Sequence, residues 1–438
     1  MEHIGNGDVI AMFREYVVNF EIARYIQRYG ESERERIVIN SSFVSLFSGA
    51  GGLDIGLELA GWRCAYASDI DPAAVQTLKA NANRMLMAET FVEKADVRLL
   101  DSATVLAKAG QRRGDISLLV GGPPCQSWSS AGHQQGFDDP RGQLFKDFIR
   151  MADELDVRWL MFENVRGLLT ARGPDGRPGS ALEYIRSLLL ERGFQTHVSL
   201  MNAADYGVAQ RRVRLVVFGY RVGDALQFPS ATHSKTAGGG MAKWVTLGEA
   251  LAALKPPSLD EIIRPTGKLA DQLALIPAGS GVKSPGKKET TRPGGHWGYK
   301  QGAFIADPDL PARTVTANSQ QDWIRDAQLG LRRLCPRECA AIQSFPLDWV
   351  FVGTRTDQYR LIGNAVPPLL AKCIGEALRA HVQDAPAYAK PRHRTLKPLA
   401  PELVSAIRYT EREESRNGSS RRAAPNMRRG RGQSRLTA

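Results

Sequence analysis

Long apolar runs are missing from this chain. None of its 438 residues falls in a stretch of about 18 consecutive apolar side chains, so no membrane span is expected. The first residues, MEHIGNGDVIAMF, have neither a basic start nor a long apolar segment; no secretory leader is expected and the chain reads as cytoplasmic. Cysteine is scarce. The five (Cys64, Cys125, Cys335, Cys339, Cys373) are scattered and odd in number, so they cannot all pair within one chain and read as thiols. Cys335 and Cys339 stand four apart in an expected helix, but two further ligands are lacking nearby and no metal is assigned. Internal repeats are also absent. Acidic residues disappear after Ser415, where seven arginines follow. What remains is ordinary for a globular protein: 43% hydrophobic and 24% charged, enough for a sizeable core in one large domain or two to three smaller ones. The net charge of +12 favours a polyanionic partner, nucleic acid first, with a basic tail on an ordinary protein as the plainer alternative.

The pattern along the chain divides it. Residues 1–41 contain an amphipathic stretch, VIAMFREYVVNFEIARYIQRY, and read as a helical extension. From 42 to 220 apolar strands alternate with helical segments, which predicts a largely parallel sheet with helices on both faces. Residues 221–329 are rich in Gly, Pro, Lys and Thr and read as a smaller, loop-rich domain. Helical pattern returns in 330–385, and 386–438 reads as a disordered basic tail.

In LFSGAGGLDIG a glycine turn joins a strand to a helix, letting the backbone approach a ligand. Asp69, at the end of the next strand and about 20 residues after Gly49, suits a carboxylate that accepts from ribose hydroxyls. A dinucleotide would want G-x-G-x-x-G, but after Gly49 and Gly51 the third position is Asp54. An adenosyl ligand without a pyrophosphate fits better, with Asp96 at the third strand end near adenine. Singly these signals are weak, because a glycine turn is often structural and an Asp at a strand end often caps the next helix.

In GGPPCQSWSS, Gly121 and Gly122 close a buried strand, so Cys125 falls at the sheet edge where open α/β folds bind ligands. Pro123 and Pro124 restrict the backbone before it, and a polar stretch follows. An inert core cysteine is the alternative.

FSGAGG, GGPPCQSWSSAG, FENVRGL, QRRVRLVVFG and RLIGNAVPPLLA occur in this order. Together they resemble the motif set of the DNA (cytosine-5) methyltransferases of prokaryotic restriction-modification type, over about Phe43 to Leu378 apart from 221–310. The resemblance implies an S-adenosylmethionine-dependent, Rossmann-like α/β domain with a smaller target-recognition domain. It implies S-adenosylmethionine as methyl donor, no metal, cytosine C5 in duplex DNA as acceptor, and base flipping. A monomer is expected, and a cognate restriction endonuclease is implied. By motif match Cys125 is the nucleophile, and Glu163, shielded from water, holds or protonates cytosine N3. Arg212 leads as the contact to the cytosine carbonyl, with Arg214 supporting it. Phe47, Ala50, Gly51 and Gly52 are expected at the methionine end. Asp69 takes the ribose, Ile70, Asp96 and Val97 the adenine side, and Pro124, Leu144, Asn364 and Val366 the remaining pocket. Thr314, Gln126, Arg292 and Lys300 are expected to meet DNA, Arg292 and Lys300 within a basic run that includes Lys283, Lys287, Lys288, His296 and Trp297. Ala209 stands where the family usually has proline, which is expected to loosen that turn.

Rival readings are a tRNA cytosine-5 enzyme of the same fold, an inactive DNA-binding relative, and a nicotinamide oxidoreductase. The first usually carries Cys-Phe-Thr in its recognition region, which this chain lacks. Cys125, Glu163 and Arg212 argue against the second, and the glycine spacing against the third.

Overall fold

A computed structural model describes residues 41–82, 89–124, 144–221, 226–287, 291–292, 296–297, 302–383 and 395–422. Seven strands form the main sheet: β1 (Ser42–Leu46), β2 (Arg63–Asp69), β3 (Phe91–Lys94), β4 (Leu118–Gly121), β5 (Trp159–Val165), β6 (Gln195–Asn202) and β7 (Val213–Tyr220). Their order is β3-β2-β1-β4-β5-β7-β6. All neighbours run parallel except β7, which is antiparallel to both β5 and β6. Chain order reverses across β1 and β4, and that switch point opens a crevice at the strand C-termini.

Helices cover both faces: α1 (Gly52–Leu59), α2 (Pro72–Asn81), α3 (Ser102–Ala109), α4 (Leu144–Glu154) and α5 (Ser180–Glu191), then α6 (Leu247–Ala252), and, after α7 (Gly267–Leu275), which packs in a separate small core, α8 (Pro336–Ile342), α9 (Arg355–Asn364), α10 (Pro368–Gln383) and α11 (Pro401–Arg422). Strand alternation explains the two layers. Phe43 and Leu118 point into a cluster with Leu53 of α1, Leu78 of α2 and Leu370 of α10. Val44 and Leu119 point the other way, toward Phe148 of α4, Ile185 of α5 and Leu403 of α11. At the head of α2, Asp71 caps Ala73 N at 2.9 Å and Pro72 opens the first turn, as the sequence pattern indicates.

The stretch after Tyr220 contains short strands: β8 (His233–Ser234), β9 (Ala242–Lys243), β10 (Ser280–Gly281), β11 (Thr291–Arg292), β12 (His296–Trp297), β13 (Phe304–Ile305), β14 (Trp323–Asp326) and β15 (Gly330–Arg333). A four-stranded sheet orders β10-β13-β14-β15 around a small core of Leu273, Ile276, Ile305 and Trp323. The expected limits of this domain, 221 and 329, need correction at both ends. Leu226 and Leu247 belong to the main core, and β15 completes the small sheet through Arg333. The buried Arg332 guanidinium then bonds Glu338 of α8 at 2.7 and 2.8 Å and Asp326 at 2.8 Å, fixing β15 to the main body.

The expected disordered tail is also corrected, for residues 395–422. Gln195 Nε2 donates to Thr395 O, Arg186 donates to Lys397 O at 2.5 Å, and Leu403 and Ala406 of α11 are buried against the main body. Pro401 and the i, i+3, i+4 spacing of Leu403, Ala406 and Ile407 explain this helix, despite its polar composition. The expected N-terminal helix lies outside the described residues.

Candidate active site

A cavity of about 490 Å³ opens at the C-terminal edge of the sheet. Its wall brings together Phe47, Gly52, Asp69, Ile70, Asp96, Val97, Pro124, Leu144, Glu163, Arg212, Arg214, Asn364 and Val366. Residues placed by motif over more than 300 positions of chain therefore meet in one space. Two expected members are outside the wall. Ala50 is fully buried in the core, and Gly51 serves as the left-handed N-cap of α1, at φ 80°. Gly52 must be glycine for a steric reason: a Cβ there would lie 2.2 Å from the Val366 carbonyl oxygen.

Asp69 shapes the turn as well as the wall. Its Oδ2 accepts from Gly49 N at 2.8 Å and its Oδ1 from Asp71 N at 2.9 Å. Burial raises its pKa to about 6, opposed by backbone hydrogen bonds from Gly49 and Ile70 and by the Arg360 charge. Arg360, which the sequence reading missed, pairs with Asp71 and with Asp357 at 2.9 Å and also lines the cavity. Asp96 accepts from Arg98 N at 3.0 Å and caps a short 3₁₀ turn, Val97–Leu99. The neighbouring Arg98 guanidinium holds its carboxyl below the usual range. Asp96 thus has the capping role left open by the sequence, at a point on the cavity wall.

Glu163 is buried at the end of β5, and Arg214 Nε lies 2.7 Å from its Oε1. The contact is an ion pair whose N–H does not point at that oxygen, which leaves Oε1 without a hydrogen bond. Asn164, the next residue, donates to the Pro123 carbonyl at 2.9 Å and ties β5 to the loop preceding Cys125. Asn164 is a second residue missed by the sequence reading, although it sits in the same FENV tetrapeptide. Cys125, Gln126 and Lys300 lie outside the described residues, as does Lys288. Arg292 lies on β11, whose backbone pairs with β12.

The two arginines of the wall differ in their surroundings. Arg212 is 1% exposed and donates to Val315 O at 3.1 Å and Gly363 O at 2.9 Å. It is a cross-link between the segment joining β13 to β14 and the C-terminal end of α9, which carries Asn364. Arg214, expected only to support it, is the arginine beside Glu163. The same seam contains two buried amides absent from the sequence reading. Gln210 accepts from Val315 N and donates to Gln343, each at 2.8 Å, and Gln343 donates to the Ile362 carbonyl. Thr314 donates to Arg211 O at 2.9 Å, so its hydroxyl is part of this seam. The turn at Ala209 is not loosened: Ala312 N donates to its carbonyl and Arg211 N to Ala312 O, both at 2.9 Å.

Asp54, on the first turn of α1, is fully buried, and neither carboxylate oxygen has a hydrogen-bond partner. Burial pushes its pKa up to about 7, the nearby Ser45 hydroxyl offsetting part of this and Asp69 adding to it. The folded state therefore holds a proton that the unfolded chain releases near pH 4, and this contribution to stability is lost as pH rises toward 7. Asp54→Asn removes the titration. Its stability relative to the parent should rise by a few kcal/mol, on the order of one kcal/mol or more per pH unit, between pH 5 and pH 7, read from urea unfolding. An equal difference at both pH values would contradict this assignment.

The chain is similar to known proteins over most of its length. Residues 41–380 match the family model described as C-5 cytosine-specific DNA methylase. The chain is 30% identical over 381 residues to the Type II methyltransferase M1.HphI of Haemophilus parahaemolyticus, covering 85% of this chain and 95% of that protein. It is 31% identical over 402 residues to M.Eco47II of Escherichia coli, covering 85% and 86%. Among solved structures, the S. pombe Dnmt2 methyltransferase superposes with a TM-score of 0.52 at 18% identity, over 78% of this chain and 98% of that one, a likeness of fold.

Proposed function

Since the chain belongs to the C-5 cytosine-specific DNA methylase family, we propose that it methylates cytosine C5 at a specific duplex DNA sequence, using S-adenosylmethionine and a covalent adduct of Cys125. The observation that carries this reading is the cavity in which Glu163, Arg214 and Pro124 share one wall with Asp69 and Gly52.

The residues present fit the methyl donor. Gly52 lets the backbone of α1 close on the Val366 loop, Asp69 offers a carboxylate for ribose hydroxyls, and exposed Ile70 offers an apolar face for adenine. When bound there, S-adenosylmethionine supplies an electrophilic methyl group. Cytosine C5 is a poor nucleophile until a thiolate adds at C6 and makes the ring an enamine. Cys125 is placed for this addition by sequence, one residue after Pro124 of the wall. Glu163 stabilises N3 as sulfur adds, so that negative charge does not build up on the ring, and Arg214 holds the carboxylate in place and faces the base. A base stacked in a helix cannot reach the cavity, so the target cytosine must be extruded. The small domain, with the basic residues around Arg292, selects the sequence, and Thr314 lies beside the phosphate of the target.

If Asp69 grips the ribose, Asp69→Ala should weaken S-adenosylmethionine binding by about 1.5–3 kcal/mol, measured by calorimetry. Binding by the parent should also weaken as pH falls through about 6, where Asp69 takes up a proton and loses acceptor capacity. Unchanged affinity would move the ribose contact elsewhere.

The biological reading is protection of DNA from a cognate restriction endonuclease, in the cytoplasm and as a monomer. Among the described residues no helix is long and apolar enough to cross a membrane. Bisulfite sequencing of DNA from cells expressing the chain tests the proposal. One short motif with protected cytosines is the expected result, and uniform conversion at every site would refute it.

A further inference from the structure

Arg360 has no part in the proposed chemistry, yet it holds two walls of the cavity together. It stands on α9, one turn before Asn364, and lines the cavity. Its Nη2 donates to Asp357 Oδ1 at 2.9 Å, on the same helix. The other oxygen of Asp357 accepts from Thr354 N at 3.0 Å and closes the capping box at the head of α9, so the guanidinium is gripped from a fixed point of its own helix. Its Nη1 reaches across the cavity to Asp71 Oδ2, 289 residues away in sequence.

The far end of this bridge is the turn between β2 and α2. Asp71 caps α2 through Oδ1, which accepts from Ala73 N at 2.9 Å. Its own N–H donates to Asp69 Oδ1 at 2.9 Å, and Gly49 N donates to Asp69 Oδ2 at 2.8 Å. Each Asp69 oxygen thus has one backbone donor, and both keep capacity for a ribose hydroxyl only while the carboxyl is ionised. Ile70, between the two aspartates, lines the same cavity. The charges around Asp69 are mixed. Asp54 lies on α1, Asp71 in the same turn and Asp96 on the wall; Lys94 stands opposite in the β2–β3 register, Arg98 is engaged by Asp96, and Glu163, Arg212 and Arg214 line the same cavity. Burial pushes the Asp69 carboxyl up to about 6, and the backbone hydrogen bonds and the Arg360 charge oppose that rise.

We infer that Arg360 is a positioning residue for the methyl donor: it seats the Asp69–Asp71 turn against α9 and keeps Asp69 ionised, so that the ribose hydroxyls meet a carboxylate rather than a carboxylic acid. The inference rests on Asp69 taking the ribose. Arg360 acts through that carboxylate and its turn, and both of its bonds serve this. Asp357 fixes the guanidinium on one side, and Asp71, whose N–H orients Asp69, receives it on the other.

The test follows S-adenosylmethionine affinity by calorimetry from about pH 5 to pH 8 in the full chain and in Arg360→Gln, Arg360→Lys, Asp71→Asn and Asp69→Asn. The part of the pH dependence that Asp69→Asn removes belongs to Asp69. Its midpoint should move up by at least about half a unit in Arg360→Gln, because an opposite charge is lost. It should stay at the parent value in Arg360→Lys, which keeps the charge. Affinity at about pH 8 should still fall several-fold there, since an ammonium lacks the planar fork that holds Asp357 and Asp71 together. Asp71→Asn keeps a cap for α2 but breaks the bridge, and its midpoint should lie at or below the parent value. An unmoved midpoint in Arg360→Gln overturns the inference. So does an equal rise in Arg360→Lys or Asp71→Asn, or an affinity at about pH 8 that neither Arg360 variant changes. Urea unfolding without ligand gives a second reading of the same titration. The stability of Asp69→Asn relative to its own parent rises with pH until Asp69 is ionised in the folded state, and it should level off at least about half a unit higher in an Arg360→Gln background. That shift without any Asp69 step in affinity would sink the ribose reading and leave the hold of Arg360 on the carboxylate standing; no shift would sink the inference itself.

Discussion

Cys125→Ser should abolish methyl transfer, by at least about 10⁴-fold or ~5.4 kcal/mol of barrier, while leaving duplex DNA binding largely intact. The hydroxyl keeps the shape of the side chain but is a far weaker nucleophile at neutral pH than a thiolate. The other four cysteines sharpen the test. Burial pushes the thiols of Cys64, Cys339 and Cys373 up, and that of Cys335 up to about 12. None of them lines the cavity. They offer no substitute nucleophile, so methylation by the serine variant above a trace rate would mean that no thiol performs the reaction.

The second large effect separates Glu163 and its two neighbouring arginines. Glu163→Gln preserves size and hydrogen bonding but cannot carry the charge or proton required at N3. It should lower kcat by about 10²–10⁴-fold with S-adenosylmethionine affinity unchanged. Arg214→Ala should follow it in kcat, because Arg214 lies against that carboxylate. Arg212→Ala should act differently. Its guanidinium binds the Val315 and Gly363 carbonyls in the interior, and each carbonyl left without a donor costs about 1–3 kcal/mol. Loss of thermal stability is thus expected with Arg212→Ala and loss of turnover with Arg214→Ala, compared by melting and single-turnover rates. The reverse pattern would restore Arg212 as the base contact.

Much of this site was legible because its chemistry is local in sequence. The glycine turn, Asp69, the Pro-Pro-Cys loop and FENV each follow a strand, and strands in an alternating pattern deliver their C-termini to one edge. What was not legible depends on the partner a side chain finds across the fold. The motif QRRVR offers two arginines of equal chemistry. Only the tertiary structure shows one engaged by carbonyls 103 and 151 residues away and the other beside Glu163. Gln210 and Gln343 were overlooked for the same reason, since a buried amide leaves no mark in composition. The tail misled in another way. Its polar average concealed Leu403, Ala406 and Ile407, three residues whose spacing suffices to seat a helix on an existing apolar face. Domain limits failed because the small sheet takes its last strand from beyond the loop-rich stretch.

The central claim is a covalent attack by Cys125 on cytosine in DNA, and a base that cannot complete the cycle tests it most directly. The C5 proton must leave before sulfur is expelled, and fluorine at C5 cannot leave as a cation. Duplex DNA with 5-fluorocytosine at the target, incubated with the protein and S-adenosylmethionine, should therefore yield an adduct through Cys125. It should survive denaturation, migrate as one slow band on a denaturing gel, diminish without the methyl donor and vanish in Cys125→Ser. Trapping on the matched RNA but not on DNA would contradict the substrate, and no adduct on either, with an active enzyme and its true site, would contradict the covalent mechanism.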